Sequence, residues 1–266
     1  MNSPSGNAHR LSFAPNLEKY VSEMQAIPAG SFRMGCDFDI RREETDTTDE
    51  QPVHVVTVSA FRLGSTPVTE EIWLEYCLST GMKQPREIMN RPRNRNESLI
   101  PVTGVSWFDI MGEDGAGGFC AWASNLLGIR LTLPTEEQWE YAARGGLQGY
   151  EFPWGNEFDP NMLPIIDRTK MNQDFSCVRD TGIHRNGFGL TDMTGHVTQW
   201  CLDTYISYNM KSQTTEIISL DEVKDTRCVR GSHYHARPHF HRCAYRDYAP
   251  PSTEGHGFRL CSESSS

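Results

Sequence analysis

The sequence predicts an α+β domain, rich in loops, with few helices and many short strands. Three observations lead there. Clear helical signals are confined to the first 146 residues, the strongest being LPTEEQWEYAARGG at 133–146. Short apolar or β-branched stretches surround them, such as IPAGSFRMG at 27–35 and VHVVTVSAFRLGSTPVT at 53–69. With 22 Gly, 15 Pro and 10% aromatic residues in 266, the chain holds too many helix breakers for a bundle and is too aromatic for a disordered polymer.

In chain order, residues 1–25 read as a polar lead-in with at most one short helix, 26–261 as one domain and 262–266 as a tail. The alternation in 27–35 predicts an opening strand. DFDIRREETDTTDEQP at 37–52 reads as an acidic, solvated loop before strand-like residues return at 53. Thr69 is placed to cap a helix over 70–81, and Glu70 and Glu71 in its first turn suit the helix dipole. The basic, Pro-broken stretch 83–98 reads as an exposed loop. A second helix is expected within 106–128, although its glycines are unusual for a helix interior. At 133–146, Thr135 caps, Gln138 completes a capping box, and Gly145–Gly146 stops the helix. Beyond 147 almost nothing has helical period, and the long loops need buried Trp residues or metal ions to order them.

Lys plus Arg is 25 and Asp plus Glu is 35, a formal net charge of -10. A protein that tracks phosphates or sits on anionic lipid carries the opposite balance, so nucleic acid is excluded as a partner. No apolar run approaches the roughly 20 residues of a membrane span. The N-terminus lacks the charged start and apolar stretch of a secretory signal, so a cytoplasmic home is expected unless a leader lies upstream. None of the eight cysteines forms a C-x-x-C pair, and most are expected to be small buried hydrophobes.

RLTLPTEEQWEYAARGG at 130–146, FPWGN at 152–156, NGFGLTDMTGHVTQW at 186–200, VRG at 229–231 and HGFRL at 256–260 occur in the order of one family. The chain resembles the formylglycine-generating enzymes, or sulfatase-modifying factors, over about residues 26–261. The resemblance implies their elaborated C-type lectin fold. It also implies that Trp107, Trp122, Trp139, Trp154 and Trp200 are core, and that Arg144, Arg230, Arg246 and Arg259 form loop-locking pairs, with Glu140 and Asp192 as candidate partners. Calcium is implied at Asp192, Gly195, Val197 and Gln199, where Gln199 replaces a family Glu. The family's chemistry uses two cysteines after the VRG strand to hold copper(I), for which soft thiolates are the matching ligands. Here that segment is VRGSHYHARPHFHRCAYRDY at 229–248, whose only cysteine is Cys243, at a position matching a structural cysteine of some members. Formylglycine generation is therefore not expected.

Histidines stand where thiols and frame residues are missing: His196, His233, His235, His239, His241 and His256. Three readings follow. The first is a binding surface for a protein or small-molecule ligand, built from His233, Tyr234, His235, Arg237, His239, Phe240, His241, Asp247, Tyr248 and His256. The segment corresponds to the part that varies in the family's diversity-generating-retroelement variable proteins, and aromatic and Arg side chains suit recognition. The second is a metal-dependent oxidoreductase in which His196, His233 and His235 ligate iron or copper; residues two apart on a strand share a face. The third is an interaction scaffold using the acidic and basic loops.

Overall fold

The computed structural model describes residues 14–37, 48–89, 100–113, 115, 117–163, 185–208, 226–233 and 235–263. The chain opens with helix α1 (Pro15–Ser22), which begins on proline and buries Leu17, Tyr20 and Val21. Ala14 offers no side-chain cap. Glu75 supplies one instead: its carboxylate accepts from the Asn16 and Leu17 N–H groups at 2.9 and 3.0 Å. The segment read as a polar lead-in thus contributes to the core, tied down by a residue 58 positions away.

The N-terminal strands are β1 (Gln25–Ile27), β2 (Gly30–Met34), β3 (His54–Val58) and β4 (Phe61–Leu63). β2 and β3 pair antiparallel, while β1, β4 and β8 (Cys261–Glu263) form a second antiparallel sheet that brings the two ends of the domain together. The acidic stretch between β2 and β3 is not simply solvated at its end. Glu50 is buried and grips the Arg242 guanidinium with two bonds of 2.6 Å. Residues 38–47 of that stretch lie outside the described residues.

Helix α2 (Glu70–Thr80) sits where the sequence predicts it and ends at Gly81, whose φ of 77° is left-handed. Thr69 is its N-cap residue but makes no side-chain cap bond. The Glu70 N–H instead donates to the Ile100 carbonyl at 2.8 Å. A short helix α3 (Arg86–Met89) interrupts the expected basic loop, anchored by buried Ile88.

The helix expected within 106–128 is two. A Ser106–Asp109 capping box opens α4 (Trp107–Met111), and α5 (Gly118–Leu127) follows. The glycines make the break: Gly112 has φ 81°, and a Cβ there would lie 2.6 Å from the Gly117 backbone. Helix α6 (Glu136–Arg144) carries the expected Thr135–Gln138 capping box and left-handed Gly145.

The second half holds one antiparallel sheet of β5 (Gln199–Thr204), β6 (Arg227–Arg230) and β7 (Arg246–Ala249), in the order β5-β6-β7. Two apolar cores lie among these elements. One gathers Trp73, Trp107, Phe119, Trp200 and Phe258, the other Phe32, Phe61 and Trp139. Trp107, Trp139 and Trp200 are buried as expected. Trp122 and Trp154 are only half-buried, because their indole N–H groups reach polar partners near the surface, Ser79 Oγ and the Glu157 carbonyl. Trp73, not singled out by sequence, is among the largest fully buried side chains.

Buried arginine–carboxylate pairs lock the loops around α6. Arg246 meets Glu136 at 2.6 and 2.9 Å, Arg144 meets Glu140 at 2.7 Å, and Arg230 meets the other Glu140 oxygen. Glu140 is thus a partner as expected. The Asp192 carboxylate faces His196 Nδ1 at 3.3 Å and acts on Arg259 only through space.

Candidate functional site

Three segments converge. The Gly195 N–H donates to the Ser232 carbonyl at 2.9 Å, and His196 and His233 form a parallel bridge. On the other side, the Trp200 N–H reaches the Gly257 carbonyl at 3.0 Å and the Gly257 N–H reaches the Thr198 carbonyl at 2.7 Å. Residues 192–200 therefore run between the end of β6 and the stretch leading to β8.

Inside this junction lies a polar cluster of Thr194, Ser232 and His241. His241 is 0% exposed, and its ring stacks on Phe158 at 5.6 Å. Its Nε2 is 3.2 Å from the Ala236 carbonyl, which can only accept, so that nitrogen carries the proton. Nδ1 then accepts the Ser232 hydroxyl at 2.7 Å, and the Thr194 hydroxyl lies 2.8 Å from Ser232 Oγ. Burial pushes the His241 pKa down to about 4, so the imidazole is neutral near pH 7. Sequence reasoning missed Thr194 and Ser232; the one available signal was a hydroxyl directly after the Arg230–Gly231 turn.

The structure sorts the other expected binding residues by exposure. His233, His235, Arg237, Asp247 and Tyr248 are exposed, Tyr248 at 52%. His239, Phe240 and His256 are half-buried, and Tyr234 lies outside the described residues. His256 Nδ1 pairs with the Thr198 hydroxyl at 2.7 Å while its ring meets Trp200 edge-on at 4.6 Å, and burial lowers its pKa. His241 does not reach the surface. Tyr248, on the edge strand β7, sets its ring at a tilt of 40° against Tyr205, centroids 4.7 Å apart. A cleft lined by Arg33, Cys36, Asp37, Tyr150 and Glu151 takes only Arg242 and Ala244 from the 229–248 segment.

The transition-metal expectation at His196, His233 and His235 does not match this geometry. Among the described residues no three His, Cys, Asp or Glu side chains gather as a metal site. The physical reason is that β6 ends at Arg230 and Gly231 turns left-handed at φ 73°, so the alternation of a regular strand does not extend to His233 and His235. His196 is buried against Asp192.

The side-chain donor expected for calcium at residue 199 is engaged within the protein. The Gln199 carboxamide is fully engaged: Oε1 accepts from Trp139 Nε1 at 3.1 Å and Arg259 Nε at 2.9 Å, and Nε2 donates to the Asp192 and Val197 carbonyls at 3.0 and 3.5 Å. The Asp192 carboxylate faces His196 Nδ1 at 3.3 Å. Asp192, Gly195, Val197 and Gln199 as arranged do not fit a calcium ion.

Cys243 is 1% exposed, and burial pushes its thiol up to about 12. The seven cysteines among the described residues are all buried, and none is in a disulfide. Among the described residues no helix is long and apolar enough to cross a membrane.

Comparison with known proteins bears on this arrangement. The model of the sulfatase-modifying factor enzyme 1-like domain matches residues 11–264. The inactive C-alpha-formylglycine-generating enzyme 2 of Bos taurus is 29% identical over 230 residues, covering 68% of this chain and 71% of that protein. The solved structure of PvdO from Pseudomonas aeruginosa superposes with a TM-score of 0.70 at 27% identity, over 90% of this chain and 94% of that one. Variable protein 1 of Treponema denticola superposes at 0.58 with 19% identity, over 90% and 94%, and shares the fold.

Proposed function

The chain belongs to the sulfatase-modifying factor enzyme 1-like family, with the C-type lectin fold of formylglycine-generating enzymes, and from that premise we propose that it is a binding member without copper–thiolate chemistry. One observation carries the reading. The segment after β6 keeps a single sulfur, Cys243, buried and held as a thiol, while its exposed positions carry His233, His235, Arg237, Asp247 and Tyr248. A copper(I) site needs thiolates that this segment does not offer. A recognition face needs directional donors and an aromatic plate on a rigid support. Arg230, Arg242 and Arg246 provide that support through buried bonds on either side of the exposed stretch. Exposed positions on a locked frame tolerate substitution, which suits a segment diversified for binding.

The partner is a protein or small molecule recognised by hydrogen bonding and stacking. The test is a panel of immobilised glycans and short peptides probed with the purified chain, beside its H233A/R237A/Y248A variant. Retention of one ligand, weakened at least about tenfold in the variant with unchanged melting temperature, supports the reading, since a tenfold loss is about 1.4 kcal/mol at the face itself. Aldehyde formed at the cysteine of a sulfatase-type peptide, with copper(I) and oxygen present, overturns it.

A further inference from the structure

We infer that the Gln199 carboxamide takes the place of a bound cation in the 192–199 turn, and that residue 199 decides whether this turn accepts a divalent metal ion. The argument starts from partners that permit only one orientation. The side chain is 0% exposed. Its Oε1 faces the Trp139 indole N–H and the Arg259 Nε–H, groups that can only donate. Its Nε2 faces the carbonyls of Asp192 and Val197, which can only accept. Turning the amide over would set N–H against N–H and oxygen against two oxygens, so its direction follows from chemistry.

The turn itself brings those carbonyls together. Asp192 has φ 53°, the only left-handed non-glycine among the described residues, and Gly195 has φ 84°. Two carbonyl oxygens facing one point inside a protein repel, and something positive must lie between them. A hard cation does this with oxygen ligands, and an N–H group does it with a hydrogen bond. Here the N–H groups of Gln199 do it.

A carboxylate at 199 reverses the sign at that point. One oxygen keeps Trp139 and Arg259. The other joins the Asp192 and Val197 carbonyls, making three oxygens and a negative charge around one spot, the donor chemistry a calcium ion takes. The surroundings tolerate the change. Arg259 is fully buried, and the groups it donates hydrogen bonds to are neutral, Gln199 Oε1 and the Gly64 and Thr191 carbonyls, with the Asp192 charge acting on it only through space. Burial lowers its pKa to about 10, so it is still charged near pH 7 and would gain an ion partner in Q199E.

The experiment compares melting temperatures of the unmutated chain and Q199E, each in chelator and in millimolar calcium. It adds terbium luminescence excited through the adjacent Trp139 and Trp200. The expected result is a calcium-induced rise of several degrees in Q199E beyond any rise in the unmutated chain, with a terbium signal that calcium displaces. A folded Q199E whose calcium response equals that of the unmutated chain overturns the inference. So does a calcium-induced rise in the unmutated chain that Q199A abolishes. Independently of how Q199E folds, the Gln199 carboxamide resonances of the unmutated, nitrogen-15-labelled chain are expected to stay in place as calcium is added, and their displacement overturns it.

Discussion

The Ser232 hydroxyl lies 2.7 Å from Nδ1 of His241, and this bond holds a neutral imidazole in the interior. The folded-state pKa of about 4 is below the roughly 6.5 of a free histidine, with burial as the largest cause. The unfolded chain therefore takes up a proton first as pH falls. The stability linked to this group is fully present above about pH 6.5 and is lost as pH drops toward 4, to a ceiling of about 3 kcal/mol. His239 and His256 are shifted the same way and add to the same window. Urea midpoints between about pH 4.5 and 7.5 measure the slope, and H241N, which keeps one acceptor and one donor, is expected to flatten it relative to the unmutated chain.

Arg246 and Glu136 form a two-bond pair in the interior, and Arg246 also reaches the Asp49 and Ile206 carbonyls. Removing one partner strands a buried charge. E136Q and R246M are each expected to cost about 3–5 kcal/mol, and the double variant E136Q/R246M less than their sum. Denaturant unfolding of the three proteins checks both statements. Additive losses would mean the two residues act independently.

Local signals were legible where residues act on near neighbours. The Thr135–Gln138 box and Gly145 define α6 from residues 135–145 alone. What stayed hidden depends on distant partners. Glu75 capping α1, Glu50 gripping Arg242 and the burial of His241 are set by tertiary contacts that no spacing announces. The split of 106–128 was half-visible, since its glycines were noted but not that Gly112 turns left-handed against Gly117. For Gln199, the Glu-to-Gln change was visible, but only its four partners reveal that the amide is spent.

Gly231 ends β6 at φ 73°, and a Cβ there would lie 2.7 Å from the Met193 carbonyl and 3.3 Å from the Trp139 ring. Gly81 has a similar φ of 77°, with nothing within 4 Å. Both alanine variants bear left-handed strain of about 1–2 kcal/mol, and only G231A adds a collision with backbone. Thermal unfolding is expected to show G231A clearly less stable than G81A, and equal losses would mean the carbonyl moves aside freely.

The proposed lack of copper–thiolate chemistry carries its own prediction in thiol reactivity. Burial raises the thiols of Cys77 to about 11 and of Cys243 and Cys261 to about 12, and those of Cys120, Cys201 and Cys228 are raised as well. Thiolate is the reactive and metal-binding form, so these sulfurs are inert in the folded chain. Of the eight cysteines, Cys177 alone lies outside the described residues. Ellman's reagent is expected to find at most two fast-reacting thiols in the native protein, Cys177 and the cleft-lining Cys36, and eight in concentrated guanidinium. Fast thiols beyond these two in the native state, protected together by copper(I), would restore the oxidase and remove the ground for a binding role.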